Sequence, residues 1–322
     1  MRCHKIISPL LEYTLSAAAG LIIVAVSAGY IINAVSDYAR KTGISDYLIG
    51  FLVVAFGTSL PELTTAIVAS LNKNSNIVLG DLIGASIIDV TIVLGLTSII
   101  GRKIFVQGKI INKTLFNVII MAMLPLLLGV DGSFSRLDGV ILVIAFVVYL
   151  ISLIKKEGKL GEVKKQLAWK DIWQDMVVIA GCVFALLFSA FWFIRSTIKI
   201  ASLLDVPQFI LGLVLVAFMT TLPELIIEIR SVLKGSTGIA FGDILGSVVM
   251  NTTLILGIAA IIRPIVFVDQ KASFINAAFF MVTSVYIALL FIKKKEISWQ
   301  EGLGLIMLYL TFLITEGLSG YF

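Results

Sequence analysis

The chain has 322 residues, 59% of them hydrophobic and 14% charged, with a mean hydropathy of +1.07. A soluble domain carries roughly 25% charged residues, so too few remain here to cover a water-facing surface. The formal net charge of +5 points to no nucleic-acid partner, because the basic residues sort by loop and do not gather into a patch.

The N-terminal tail carries Cys3 and His4, the latter read as a surface residue. With Cys182 as the second cysteine, the sequence defines neither a disulfide framework nor a metal cluster. Ten apolar stretches follow, at 13–35, 44–71, 77–100, 112–130, 137–154, 172–196, 207–232, 238–262, 273–292 and 300–318. Each is close to the ~20 residues that a helix needs to cross a bilayer. A lipid-facing backbone must satisfy its own hydrogen bonds, so the expected form is helical throughout. The first stretch is too long for a signal-peptide core and shows no clear small-residue cleavage site, so it is expected to be a retained helix. Assigning the loops alternately to two sides puts 17 of the 25 lysines and arginines on one of them. The positive-inside rule makes that side cytoplasmic and puts both termini outside.

Residues 48–100 align without a gap with residues 210–262, at a constant offset of 162 and with 20 identities in 53 positions. The lysine-rich segment after 155 is the natural joint. The sequence therefore divides into a first repeat at 1–156, a basic cytoplasmic linker at 157–170 and a second repeat at 171–322. Each repeat has five spans. Because five is odd, the second repeat enters the membrane from the opposite side. The expected fold is an all-α polytopic membrane protein of ten transmembrane helices, arranged as two inverted five-helix repeats. In such transporters the substrate site lies near the midplane, where the halves meet.

Each repeat places a proline inside a span, Pro61 and Pro223, which disturbs the carbonyls four residues back at Gly57 and Met219. Thr58 and Ser59 precede the first proline, Thr220 and Thr221 the second, and Glu62 and Glu224 follow. Each disturbed helix thus offers carbonyl, hydroxyl and carboxylate oxygens within about one turn. A hard cation such as Ca2+ takes six to eight oxygens, more than one such helix supplies but within reach of two. Carboxylates inside a membrane are costly and mark ion pathways. The bland alternative is a proline kink with a glutamate that reaches out to water.

The following span of each repeat adds Asp89 and its counterpart Asn251, with Ala85 and Ser247 one turn earlier on the same stripe. Asn251 also suits a helix-packing hydrogen bond. Asp81 and Asp243 match between repeats, each after a glycine; they suit either helix caps or an ion entrance. Glu228, opposite Ala66, suits the ion path or a polar vestibule. Gly80, Gly84, Gly95, Gly242, Gly246 and Gly257 are read as close-packing positions.

The segments AFGTSLPEL at 55–63, AFMTTLPEL at 217–225, GDLIGASIID at 80–89 and GDILGSVVMN at 242–251 resemble the paired alpha-repeats of the cation/calcium exchanger superfamily. With ten spans and a short central loop, the chain resembles its prokaryotic sodium/calcium exchangers. The resemblance implies a diamond-like cluster of four ion sites between the repeats. It makes Glu62 and Glu224 the central Ca2+ ligands, joined by Thr58, Thr220, Ser59 and Thr221 and by the carbonyls of Ala55 and Ala217. Asp89, Asn251 and Ser247 complete the set.

Three positions depart from the pattern: Ala85 replaces a serine, Met219 replaces a glycine, and the acid and amide at 89 and 251 are unequal. The implied activity is antiport of Ca2+ against Na+, with lipid as the surrounding partner and no cofactor, nucleotide or nucleic acid. H+ or K+ as the coupling ion is the alternative within the class. A cation channel would use the same ligands. An intramembrane aspartyl protease is disfavoured, because Val78 and Ala240 stand where its motif has glycine. No phosphate-binding loop points to an ATP-driven pump.

Overall fold

The computed structural model describes residues 45–71, 73, 75–105, 111–157, 211–267 and 271–316, with isolated positions at 30, 177, 180, 181, 184, 185 and 188. The expected spans at 13–35 and 172–196 lie almost wholly outside the described residues, as does the linker beyond Glu157. The other eight spans are helical. In the first repeat they are a broken span formed by α1 (Asp46–Thr58) and α2 (Leu60–Leu71), then α3 (residues 75–101), α4 (Ile111–Leu128) and α5 (Arg136–Glu157). In the second they are α6 (residues 211–220) and α7 (Leu222–Leu233), then α8 (Thr237–Ile262), α9 (Lys271–Lys293) and α10 (Trp299–Glu316).

Two short antiparallel strand pairs were not expected from sequence. β1 (Lys103–Phe105) pairs with β4 (Glu296–Ser298), and β2 (Ser133–Phe134) pairs with β3 (Ile265–Val266). Each pair joins a loop of one repeat to a loop of the other. Helix α4 separates β1 from β2, and α9 separates β3 from β4, so the pairs sit at opposite ends of the helices. α3 runs into the β1 end and its counterpart α8 into the β3 end. These two equivalent helices therefore point in opposite directions, as an inverted repeat requires.

α3 and α8 form the centre. Over their apolar windows 89% and 83% of residues are buried, against 28% for α5. The central pair is covered by protein on nearly every side, so its apolar residues need not keep to one face. The outer helices α4, α5, α9 and α10 instead expose apolar side chains, among them Phe116, Ile144, Val148, Phe279, Leu290 and Met307. That is the surface a helix presents to lipid.

Glycine lets the repeats lock together. A Cβ at Gly84 of α3 would lie 2.1 Å from the Leu213 carbonyl oxygen and 2.8 Å from Ala217 Cβ. At the matching Gly246 of α8 it would meet Ala55 Cβ at 2.7 Å and the Phe51 ring at 3.1 Å. Each central helix thus presses against the N-terminal half of the other repeat's broken span, and only a residue without a side chain permits that approach.

Candidate cation site between the repeats

Both broken spans fail at the same place. The first breaks at Ser59 with a bend of 42°; Ser59 has φ −81° and ψ 6°, and Thr221 has φ −83° and ψ −2°. The break therefore precedes the proline by two residues. Pro61 and Pro223 stand second in α2 and α7, in a first turn where a missing amide hydrogen leaves no gap in the ladder. Wider π-type turns flank the breaks at Gly50–Ala55 and Leu211–Val216, and others lie in the central helices at Asp89–Val93 and Met250–Ile255. Such turns are rare and gather at functional sites.

All eleven residues singled out by sequence as cation ligands are at most 2% exposed: Ala55, Thr58, Ser59, Glu62, Asp89, Ala217, Thr220, Thr221, Glu224, Ser247 and Asn251. The hydroxyls at the breaks reach across to the other repeat. Thr58 Oγ1 donates to Asp243 Oδ1 at 3.1 Å, and Thr220 Oγ1 to Asp81 Oδ1 at 3.2 Å. Ser59 Oγ meets Ser247 Oγ at 3.3 Å.

The fourth link is missing because Ala85 has no hydroxyl. Thr221 Oγ1 turns back onto its own helix, to the carbonyls of Ala217 at 3.0 Å and Phe218 at 3.2 Å. The Ala217 carbonyl also accepts from the Thr221 amide at 3.1 Å and faces the Thr220 hydroxyl at 3.1 Å. The Ala55 carbonyl accepts from the Ser59 amide at 2.9 Å and faces the Thr58 hydroxyl at 3.3 Å. The two halves of the site thus share a plan and differ at one hydroxyl.

Six carboxylates lie in this region, Glu62, Asp81, Asp89, Glu224, Glu228 and Asp243, none more than 1% exposed. Glu62, Asp89 and Asp243 all act electrostatically on Glu224, and Asp89 and Asp243 act on Glu228. No lysine, arginine or histidine is buried among the described residues. Both oxygens of Asp89 and of Glu228, and one each of Glu62, Asp81, Glu224, Asp243 and Asn251, have no hydrogen-bond partner.

A buried carboxylate without a base or hydrogen bonds costs several kcal/mol, on the order of a lost ion pair, unless a cation or proton joins it. Among the described residues no three acid, histidine or cysteine side chains converge as a metal cluster by themselves. A cation bound here takes hydroxyl and carbonyl oxygens together with its carboxylates.

Asp81 and Asp243 do not cap helices. Each lies in its helix's second turn, fully buried and bonded to the opposite repeat. Glu228 is likewise fully buried. The placement of the two aspartates has a sequence signal; Glu228, opposite Ala66, lacks the repeat match. A charged residue in an apolar stretch, matched at the repeat offset, marks Asp81 and Asp243 as it marks Glu62 and Glu224.

A family profile described as sodium/calcium exchanger protein matches residues 13–155 and 175–316. The chain is 27% identical to the sodium/calcium exchanger MaX1 of Methanosarcina acetivorans, over 92% of this chain and 95% of that one. It is 28% identical to the inner membrane protein YrbG of Escherichia coli, over 88% and 89%. Among solved structures it is similar to the sodium-calcium exchanger NCX_Mj soaked with Na+ and Sr2+. The TM-score is 0.81 at 27% identity, covering 94% of this chain and 97% of that one.

Proposed function

From the premise that the chain belongs to the sodium/calcium exchanger family, we infer that it is a secondary antiporter exchanging Ca2+ for Na+ at the oxygens gathered between the two broken spans. The observation that carries this reading is the convergence of two hinges from opposite repeats, each bringing hydroxyls and a buried glutamate to a region with no buried base among the described residues. Glu62 and Glu224 are the central Ca2+ ligands. Thr58, Thr220, Ser59, Thr221, Ser247, Asp89 and Asn251, with the Ala55 and Ala217 carbonyls, provide the remaining oxygens. Na+ and Ca2+ are similar in size, so one set of oxygens serves either ion in turn. Because the repeats are inverted, the same site faces each side of the membrane alternately. Electroneutrality then favours several Na+ for each Ca2+.

The protein resides in the cell membrane, surrounded by lipid, with both termini outside, a first repeat at 1–156, a cytoplasmic linker at 157–170 and a second repeat at 171–322. The lysine and arginine asymmetry supports this orientation. So does the pairing of β1 with β4, which brings together two loops that the charge count assigns to the cytoplasmic side. The test is Ca2+ flux in proteoliposomes with Na+ and pH gradients imposed separately. Uptake is expected to follow the Na+ gradient. Uptake that follows a pH gradient and ignores Na+ would overturn the sodium reading in favour of proton coupling. Flux that needs no counter-ion would indicate a channel.

A further inference from the structure

We propose that Asp81 and Asp243 are positioning residues for the cation site: each takes the hydroxyl proton of the hinge threonine in the opposite repeat. That turns the oxygen lone pairs of Thr220 and Thr58 toward the ion and removes one hydroxyl donor from each alanine carbonyl. The inference rests on reading the two hinges as the cation site.

A threonine hydroxyl has one proton to donate, and each hinge threonine has competing acceptors. For Thr58 they are Asp243 Oδ1 at 3.1 Å and the Ala55 carbonyl at 3.3 Å. For Thr220 they are Asp81 Oδ1 at 3.2 Å and the Ala217 carbonyl at 3.1 Å. The choice decides what remains for an ion. A carbonyl oxygen has two lone pairs, and the amide of Ser59 or Thr221 already occupies one of each. A hydroxyl proton pointed at the carbonyl fills the second and closes that oxygen to a cation. Pointed at the aspartate, it leaves both threonine lone pairs available, along with the Ala55 carbonyl's second lone pair; the Ala217 carbonyl opens when the Thr221 hydroxyl donates to Phe218 instead. Hydrogen bonds to ionised acceptors are roughly twice as strong as neutral ones, so an aspartate in its ionised form holds the proton in the productive direction.

Packing does not require these acids. The helices they bridge are already held by the glycine contacts of Gly84 with Leu213 and Ala217, and of Gly246 with Phe51 and Ala55. Each aspartate is fully buried, and each retains one oxygen with no partner. A tether alone would need neither the charge nor the duplication at equivalent positions.

The test is Ca2+ binding to the purified full-length protein, measured by calorimetry in Na+-free buffer, with size-exclusion profiles confirming that each variant is folded. Asp81→Leu and Asp243→Leu are each expected to weaken binding about tenfold, the order of one charge-assisted hydrogen bond. Asp81→Asn and Asp243→Asn retain an acceptor oxygen and are expected to stay within about threefold of the parent, since the bond survives in neutral form. The pairing is the decisive readout. In a Thr220→Val background, Asp81→Leu should add less than about twofold, because the two act through one bond, while Asp243→Leu still costs about tenfold.

Equal losses from Asp81→Leu with and without Thr220 would overturn the proposal, as would asparagine variants that bind as weakly as the leucine variants. Undiminished Ca2+ binding by Glu62→Ala would instead refute the placement of the site, a result distinct from either of these.

Discussion

Replacing Ala85 with serine restores the one hydroxyl that separates the two halves of the site. Ala85 is fully buried on α3, and its counterpart Ser247 bonds Ser59 at 3.3 Å. By the repeat relation, the introduced hydroxyl faces Thr221 Oγ1, which now donates to its own helix at 3.0 and 3.2 Å. Drawing Thr221 away relieves the Ala217 carbonyl of one of its hydroxyl donors, so the Na+ shell on that side gains the new oxygen and part of an existing one.

A neutral hydrogen bond or equivalent oxygen contact nets about 0.5–1.5 kcal/mol, or roughly two- to tenfold in affinity. Na+ has a single charge to set against its desolvation and depends on each neutral oxygen. Ca2+ draws most of its attraction from Glu62 and Glu224. Ala85→Ser is therefore expected to lower the half-saturating Na+ concentration by about two- to tenfold, with less than about twofold change for Ca2+. Ca2+ flux in proteoliposomes across a Na+ titration, paired with equilibrium Ca2+ binding, measures both. An unchanged Na+ dependence would mean that position 85 does not face the ions. A larger shift for Ca2+ than for Na+ would refute the reasoning about charge.

Glu62→Ala and Glu224→Ala should each abolish Ca2+ uptake while the protein still purifies as a folded species; near-normal uptake in both would refute the ligand assignment. Cysteines placed at Lys159 and Ser319 should label from opposite sides of oriented membranes, and labelling from the same side would refute the ten-span topology. Gly84→Ala should lower thermal stability more than Gly246→Ala, because its Cβ meets the Leu213 carbonyl oxygen at 2.1 Å whereas at Gly246 the nearest atom belongs to a side chain. Overpacking of this kind costs about 1–3 kcal/mol, and equal melting temperatures would show that the helices shift apart freely.

Much of this architecture is legible in the sequence, because a membrane removes ambiguity. Apolar runs of spanning length have one stable form there, and a polar residue inside one stands out. Glu62, Asp89 and Glu224 are visible for that reason, and the offset of 162 makes the duplication visible without any structure. The strand pairs are not legible: two or three residues in a loop have no periodicity to read, and their partners lie in the other repeat. The hydrogen bonds of Asp81 and Asp243 are hidden in the same way, since Thr58 and Asp243 are 185 residues apart. A glycine followed by an aspartate reads locally as a helix start. The helix begins a turn earlier, and the acid's partner belongs to a different span. The bends at Ser59 and Thr221 are only half legible, because proline announces a break nearby without stating which residue absorbs it.

The interlocked strands bear on how the chain is assembled during synthesis. The first repeat leaves the ribosome with the edges of β1 and β2 unpaired and the small-residue surface of α3 uncovered, because every one of those partners is encoded downstream. β4, which completes the last pairing, comes just before α10. The nascent first half is therefore an unfinished surface that waits in the bilayer for its counterpart. Each half serves as the mould against which the other sets, and the native fold closes only once nearly the whole chain has been inserted.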